Sequence, residues 1–138
     1  IGRGKTFTSD HLIERAVPVI LAAMQSAGVR RLMFTSAVGV GASFQDSPLI
    51  AKLFFRTLLR DIYADKARGE DLIRRSKLDW TVVQPGQLND GPLTRRYRSG
   101  ERLALSGMTA ISRADTAHFL VDRINDPSTY GRTIVIAD

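Results

Sequence analysis

Cysteine is absent from all 138 residues, which excludes a disulfide framework and any thiolate metal centre and suits an intracellular protein. Histidine is nearly as scarce. The two that occur, His11 and His118, stand far apart in the chain and form no ligand cluster, so no metal is expected. No apolar run approaches the roughly 18 residues of a membrane-spanning helix, and no signal peptide opens the chain, so a soluble, cytoplasmic protein without a membrane partner is expected. The sequence also begins at Ile1 without an initiator methionine, as a processed, truncated or otherwise incomplete polypeptide would.

What is present suffices for one core. With 43% hydrophobic residues, a chain of this length is expected to form a single domain over 1–138. The net charge of +6 would steer phosphates toward it, whether they belong to a cofactor or to a nucleic acid. The basic residues are scattered, however, and the densest cluster, Arg95, Arg96 and Arg98 around Tyr97, comes without a nucleic-acid reader motif. It reads as solvated surface, and no nucleic-acid partner is expected. Gly4-Lys5-Thr6 looks like the end of a phosphate-binding P-loop but lacks the strand and the earlier glycine that the motif needs.

Periodicity orders the rest. A helix capped by Thr8 or Ser9 is expected to run to Ala27, with Leu12, Ile13, Ala16, Val17, Ile20, Leu21 and Met24 on one stripe and Gly28 as its stop. Pro18 should kink it or end it early. Leu32, Met33 and Phe34 form a buried parallel strand. After a loop from Val40, Pro48 opens a second helix capped by Ser47 that extends to about Ser76, with Gly69 as a weak point. Leu78 to Pro85 is a second strand, Gly86 to Thr94 a loop, and Tyr97 to Leu105 a short irregular strand. Ser112 and Asp115 resemble a capping box opening a helix that buries Ala117, Leu120, Val121 and Ile124. Asp126-Pro127 ends that helix, and Thr133 to Ala137 is the last strand after the Tyr130-Gly131 turn. This alternation of helix and strand is that of an α/β fold with a parallel sheet.

In such a sheet the carboxyl ends of the strands face the ligand crevice. Thr35 and Ser36, followed by Ala37 and Gly39, therefore either touch a bound molecule or satisfy loose backbone groups.

Three segments in register carry a resemblance: AAMQSAGVRRLMFTSAVGV, DLIRRSKLDWTVVQPGQLNDGPLT and ISRADTAHFLVDRINDPSTYG. Together they resemble the carboxyl-terminal part of an atypical short-chain dehydrogenase/reductase of the NAD(P)H-binding, NmrA-like group, which is similar to flavin reductase/biliverdin reductase B. The resemblance implies a Rossmann-like parallel sheet with flanking helices, truncated on its amino-terminal side. It implies NADP or NAD as cofactor, with Thr35, Ser36, Ala37, Lys66, Pro85, Gly86, Gln87 and Leu88 around its nicotinamide end. The implied activity is hydride transfer to a flavin, quinone or similar small-molecule acceptor. The alternative is a non-catalytic, dinucleotide-sensing module acting through protein contacts.

Ser36, Tyr63 and Lys66 are the implied catalytic residues. Tyr63 and Lys66 are three apart, where the family pair is four apart, and the other reading of Lys66 is an ion pair with Glu70 on a solvated helix. Where the relative has histidine this chain has Gln87, which orients a carbonyl or carboxamide rather than donating a proton. The family's opening strand, glycine-rich turn and helix, which hold the pyrophosphate, have no counterpart here. One strand edge is therefore expected to lie bare, to be covered by a homo-oligomer or by the missing amino-terminal half.

Overall fold

The computed structural model describes residues 11–40, 60–105 and 109–138. The Thr8 or Ser9 cap, the Ser47-Pro48 helix start and the length of that helix before residue 60 lie outside the described residues. Helix α1 spans Leu12–Ser26, α2 Arg60–Arg74 and α3 Arg113–Arg123. The strands are β1 (Arg31–Thr35), β2 (Asp79–Pro85), β3 (Gln87–Asn89), β4 (Arg98–Gly100), β5 (Ala110–Ser112) and β6 (Arg132–Ala137). The main sheet has the order β1-β2-β6-β4, its first three strands parallel, and β3 pairs with β5 in a second, two-stranded sheet. This is a Rossmann-like arrangement of mostly parallel strands with flanking helices.

The sequence pattern misses two features of the sheets. The irregular strand expected over Tyr97 to Leu105 shrinks to the three residues of β4, which run antiparallel to β6. The loop expected after Gly86 contains β3, because the chain changes partner there: Gly86 N–H donates to Ile136 O of the main sheet, and Gln87 N–H donates to Thr109 O beside β5.

Apolar alternation along β2 divides the core between the two faces of the sheet. Val82 packs with Val17 of α1 and Ile73 of α2, joined by Ile13, Leu21, Leu32, Phe34 and Trp80. Val83 packs with Ile111, Phe119, Ile134 and Ile136, joined by Met33, Tyr97 and Leu120. The stripe expected on α3 is corrected accordingly. Its buried residues are Asp115, Thr116 and Phe119, while Val121 is 74% exposed and Ile124 44% exposed. Ala117 is exposed as well. The helix is rotated because Phe119 fills the core and the first turn is held by a polar cage around Asp115.

That cage extends the capping box expected at Ser112. Ser112 Oγ accepts from Asp115 N–H at 2.9 Å, and the Asp115 carboxylate accepts from Thr94 N–H, Thr94 Oγ1, Arg95 N–H and Ser112 Oγ. Burial pushes the Asp115 carboxyl up, but these hydrogen bonds outweigh it and hold its pKa below the usual value. They also fix Arg95 at a φ of 58°, which a non-glycine residue adopts only when held.

Helix α1 runs unbroken through Pro18. It stops as expected: Gly28 at φ 68° lets Gly28 N–H reach Gln25 O and Val29 N–H reach Met24 O, the paired bonds of a Schellman motif. At the other end, the Asp65 carboxylate of α2 accepts from Ile13 N–H at 3.1 Å and Glu14 N–H at 2.9 Å, capping α1 from a neighbouring helix. Gly69 is a close-contact point rather than a weak one. It is buried within α2, where a Cβ would lie 2.4 Å from Ile13 Cγ2.

Candidate functional site

Ser36 lies at the carboxyl edge of β1 and β2, and Tyr63 and Lys66 lie on α2, which is tied to the segment after β1. The ladder continues beyond β1, since Ser36 N–H donates to Val83 O at 2.7 Å and Val38 N–H to Pro85 O at 3.1 Å. Ser36 thus sits opposite Gln84. By period-two alternation it shares a face with Phe34, which packs beneath α1 and α2. Ser36 is 5% exposed, and its hydroxyl has no hydrogen-bond partner among the described residues. A buried hydroxyl without a partner costs about 1–3 kcal/mol, so such atoms are rare and mark either a water site or a ligand contact.

Over this face runs one stripe of α2. Tyr63 donates its hydroxyl hydrogen to Val38 O at 3.2 Å. Seven residues on, the carboxylate of Glu70, fully buried, accepts from Gln84 Nε2 at 2.9 Å and from Arg74 at 2.5 Å. Gln84 Nε2 also donates to Val40 O at 3.1 Å, so α2, β2 and the loop after β1 are tied together through one amide. Lys66 lies between Tyr63 and Glu70 on the same helix face. The Lys66–Glu70 ion pair of the alternative reading is not formed, because Glu70 is buried and taken by Arg74 and Gln84. The Lys66 ammonium makes no hydrogen bond or ion pair among the described residues. Burial pushes its pKa down, opposed by the carboxylates of Glu70 and Asp65.

Tyr63 behaves as a strut. Burial pushes its phenol up to about 12, whereas a proton donor near neutral pH needs a lowered one. The folded-state value lies above the unfolded one, so the stabilisation is complete below pH 10 and is lost as pH rises from 10 toward 12. The loss is on the order of 2 kcal/mol. Tyr63→Phe is expected to flatten that alkaline fall in a series of thermal melts from pH 8 to 12, whereas an unchanged slope would assign it to other groups.

The remaining candidates follow the strand ends. Thr35 is exposed and Ala37 half-buried after β1, while Pro85 is buried and Gly86 half-buried at the end of β2. Gln87 and Leu88, on β3, are exposed. Gln84 was not singled out in the sequence and Glu70 only as an ion-pair partner for Lys66, since a glutamine in an apolar strand and a glutamate in a charged helix do not announce each other until the fold pairs them.

Two other polar clusters lie apart from this edge. The concavity bounded by Ser99, Glu101, Phe119, Arg123, Thr129 and Arg132 has its charges paired, Arg123 with Asp126 and Arg132 with Glu101. His11, Glu14 and Asp65 place their donor atoms within 4.8 Å of one another, but the Arg68 guanidinium is hydrogen-bonded to both His11 and Glu14, and a cation would meet that charge.

A family profile described as NAD(P)H-binding matches residues 2–127. The chain is 28% identical over 142 residues to UPF0659 protein YMR090W of Saccharomyces cerevisiae, covering 99% of this chain and 57% of that protein. Among solved structures it superposes on ChuY, an anaerobillin reductase from Escherichia coli O157:H7, with a TM-score of 0.75 and 22% identity over 96% of this chain and 61% of that one. A short-chain dehydrogenase/reductase from Veillonella parvula, solved in complex with NADP, gives a TM-score of 0.74 at 18% identity, covering 90% of this chain and 58% of that one. At these identities the structural likeness is one of fold, and the chain spans less than two thirds of each of these three relatives.

Proposed function

The chain belongs to the NAD(P)H-binding family, and on that premise we propose that it forms the nicotinamide side of an NAD(P)H-dependent oxidoreductase that passes hydride to a flavin, quinone or similar acceptor. The observation that carries this reading is the buried Ser36 hydroxyl at the carboxyl edge of β1, without a hydrogen-bond partner among the described residues. The residues fit such a cofactor end: among the described residues the Ser36 hydroxyl has no hydrogen-bond partner and the Lys66 ammonium no hydrogen bond or ion pair, and the Pro85 to Leu88 segment leaves the sheet at the same carboxyl edge. Nicotinamide, when bound, supplies the hydride chemistry, and the protein orients it and excludes water. Ser36 and Gln87 would hold the carboxamide, and Lys66 would hold the sugar hydroxyls.

A second reading is favoured by one observation. The Tyr63 hydroxyl is engaged with Val38 O, which suits a dinucleotide-sensing module acting through protein contacts more than a catalytic acid. Both readings need a further contact. Among the described residues β1 is paired on one side only, by β2, and that edge would dock the amino-terminal part that the family resemblance implies or a second copy of this chain.

The test is a fluorescence titration with NADPH and with NADH, followed by flavin and quinone reduction assays. Saturable binding in the micromolar range is expected, weakened by Ser36→Ala about 3- to 10-fold, the value of one hydrogen bond. Binding without reduction of any acceptor favours the sensor. No binding at millimolar cofactor overturns both readings for this chain.

A further inference from the structure

Ser36 Oγ is not the only orphan on its face of the sheet. Gln84 Oε1 is also buried without a partner, and Gln84 stands directly opposite Ser36 in the parallel ladder, so both side chains leave the sheet on the α2 side. The amide cannot turn away from this position. Its nitrogen is committed to Glu70 and Val40, which leaves the oxygen as the free end, and reversing the amide would set that oxygen against the Glu70 carboxylate and the Val40 carbonyl. The Ser36 hydroxyl and the Gln84 amide oxygen thus leave neighbouring strands on one face, both buried and not bonded to each other. A buried water needs two to four polar partners, and these two atoms supply that minimum.

We propose that Gln84 is a positioning residue, bridged to the Ser36 hydroxyl by one buried water that fixes the direction of the Ser36 proton. Glu70 acts one step further back by holding the amide. With its proton given to the water, Ser36 keeps its lone pairs for an N–H donor such as the carboxamide of a nicotinamide. This last consequence rests on the reading of Ser36 as a cofactor contact. The water does not, and the two are tested separately.

The first test is a crystal structure of the cofactor-free chain at a resolution that shows ordered water. A single water within hydrogen-bond distance of both Ser36 Oγ and Gln84 Oε1 is expected, and it should be lost in Ser36→Ala. A dry gap, or a direct Ser36–Gln84 bond, overturns the proposal whatever the cofactor does. The second test is a double-mutant cycle on the NADPH dissociation constant with Ser36→Ala and Gln84→Met, each variant first checked for a cooperative melt. Each single change is expected to weaken binding about fivefold and the pair by little more than either alone. Independent effects, about 25-fold for the pair, would overturn the positioning role. Loss of all NADPH binding in the unmodified chain would count against the cofactor reading alone. If Gln84→Met does not melt cooperatively, the Ser36→Ala crystal structure still decides the bridge.

Discussion

Gly86→Val is expected to lower the stability of the fold by about 3 kcal/mol or more, at the upper end of what overpacking costs. A Cβ at this position would lie 2.4 Å from the Thr109 carbonyl oxygen and 3.1 Å from its carbon. These are backbone atoms, with no rotamer in which to move aside. The two strands approach so closely because the chain leaves the main sheet here, with Gly86 N–H on Ile136 O at 3.0 Å and Gln87 N–H on Thr109 O at 2.9 Å. The side chain would have to break one of these bonds or separate β3 from β5. Urea unfolding should show a lower midpoint at unchanged slope, and a midpoint equal to that of the unmodified chain would show that the junction yields more easily than its geometry implies.

Arg74→Met is expected to cost about 3–5 kcal/mol for a different reason. Glu70 is fully buried, and its carboxylate rests on the Arg74 guanidinium and the Gln84 amide. Removing the guanidinium leaves the buried charge with one neutral hydrogen-bond donor and, without a direct bond, the Lys66 ammonium. A buried charge that loses its partner costs far more than the pair itself contributes, because desolvation is no longer offset. The double variant Arg74→Met with Glu70→Gln removes the stranded charge and should recover most of the loss. A single variant within about 1 kcal/mol of the unmodified chain, or a double variant no better than the single, would show that the carboxylate reaches water.

The contrast between these two positions shows how the sequence could be read. The strands and the Gly28 stop were legible because apolar alternation, β-branched residues and a glycine after a helix act locally. Ser36 was legible as a hydroxyl at the end of an apolar run. Its orphaned state was not, because that depends on Gln84, 48 positions along the chain. The rotation of α3 was hidden for the same reason: Val121 and Ile124 look like core residues until Phe119 and the Asp115 cage, which reaches back to Thr94, fix the helix the other way. Gly69 looked like a weak point in its helix because its reason, the side chain of Ile13, lies on another helix.

The central claim is that the carboxyl edge of β1 and β2 meets the nicotinamide end of the cofactor. It is tested most directly by titrating the isotopically labelled chain with NADPH and following its backbone amides by NMR. Saturable shifts at Ser36, Ala37, Gly86 and Gln87, with α3 and β4 unmoved, are the predicted result. Saturable shifts confined to α3 and β4, or none at the β1–β2 edge at millimolar NADPH, would contradict it.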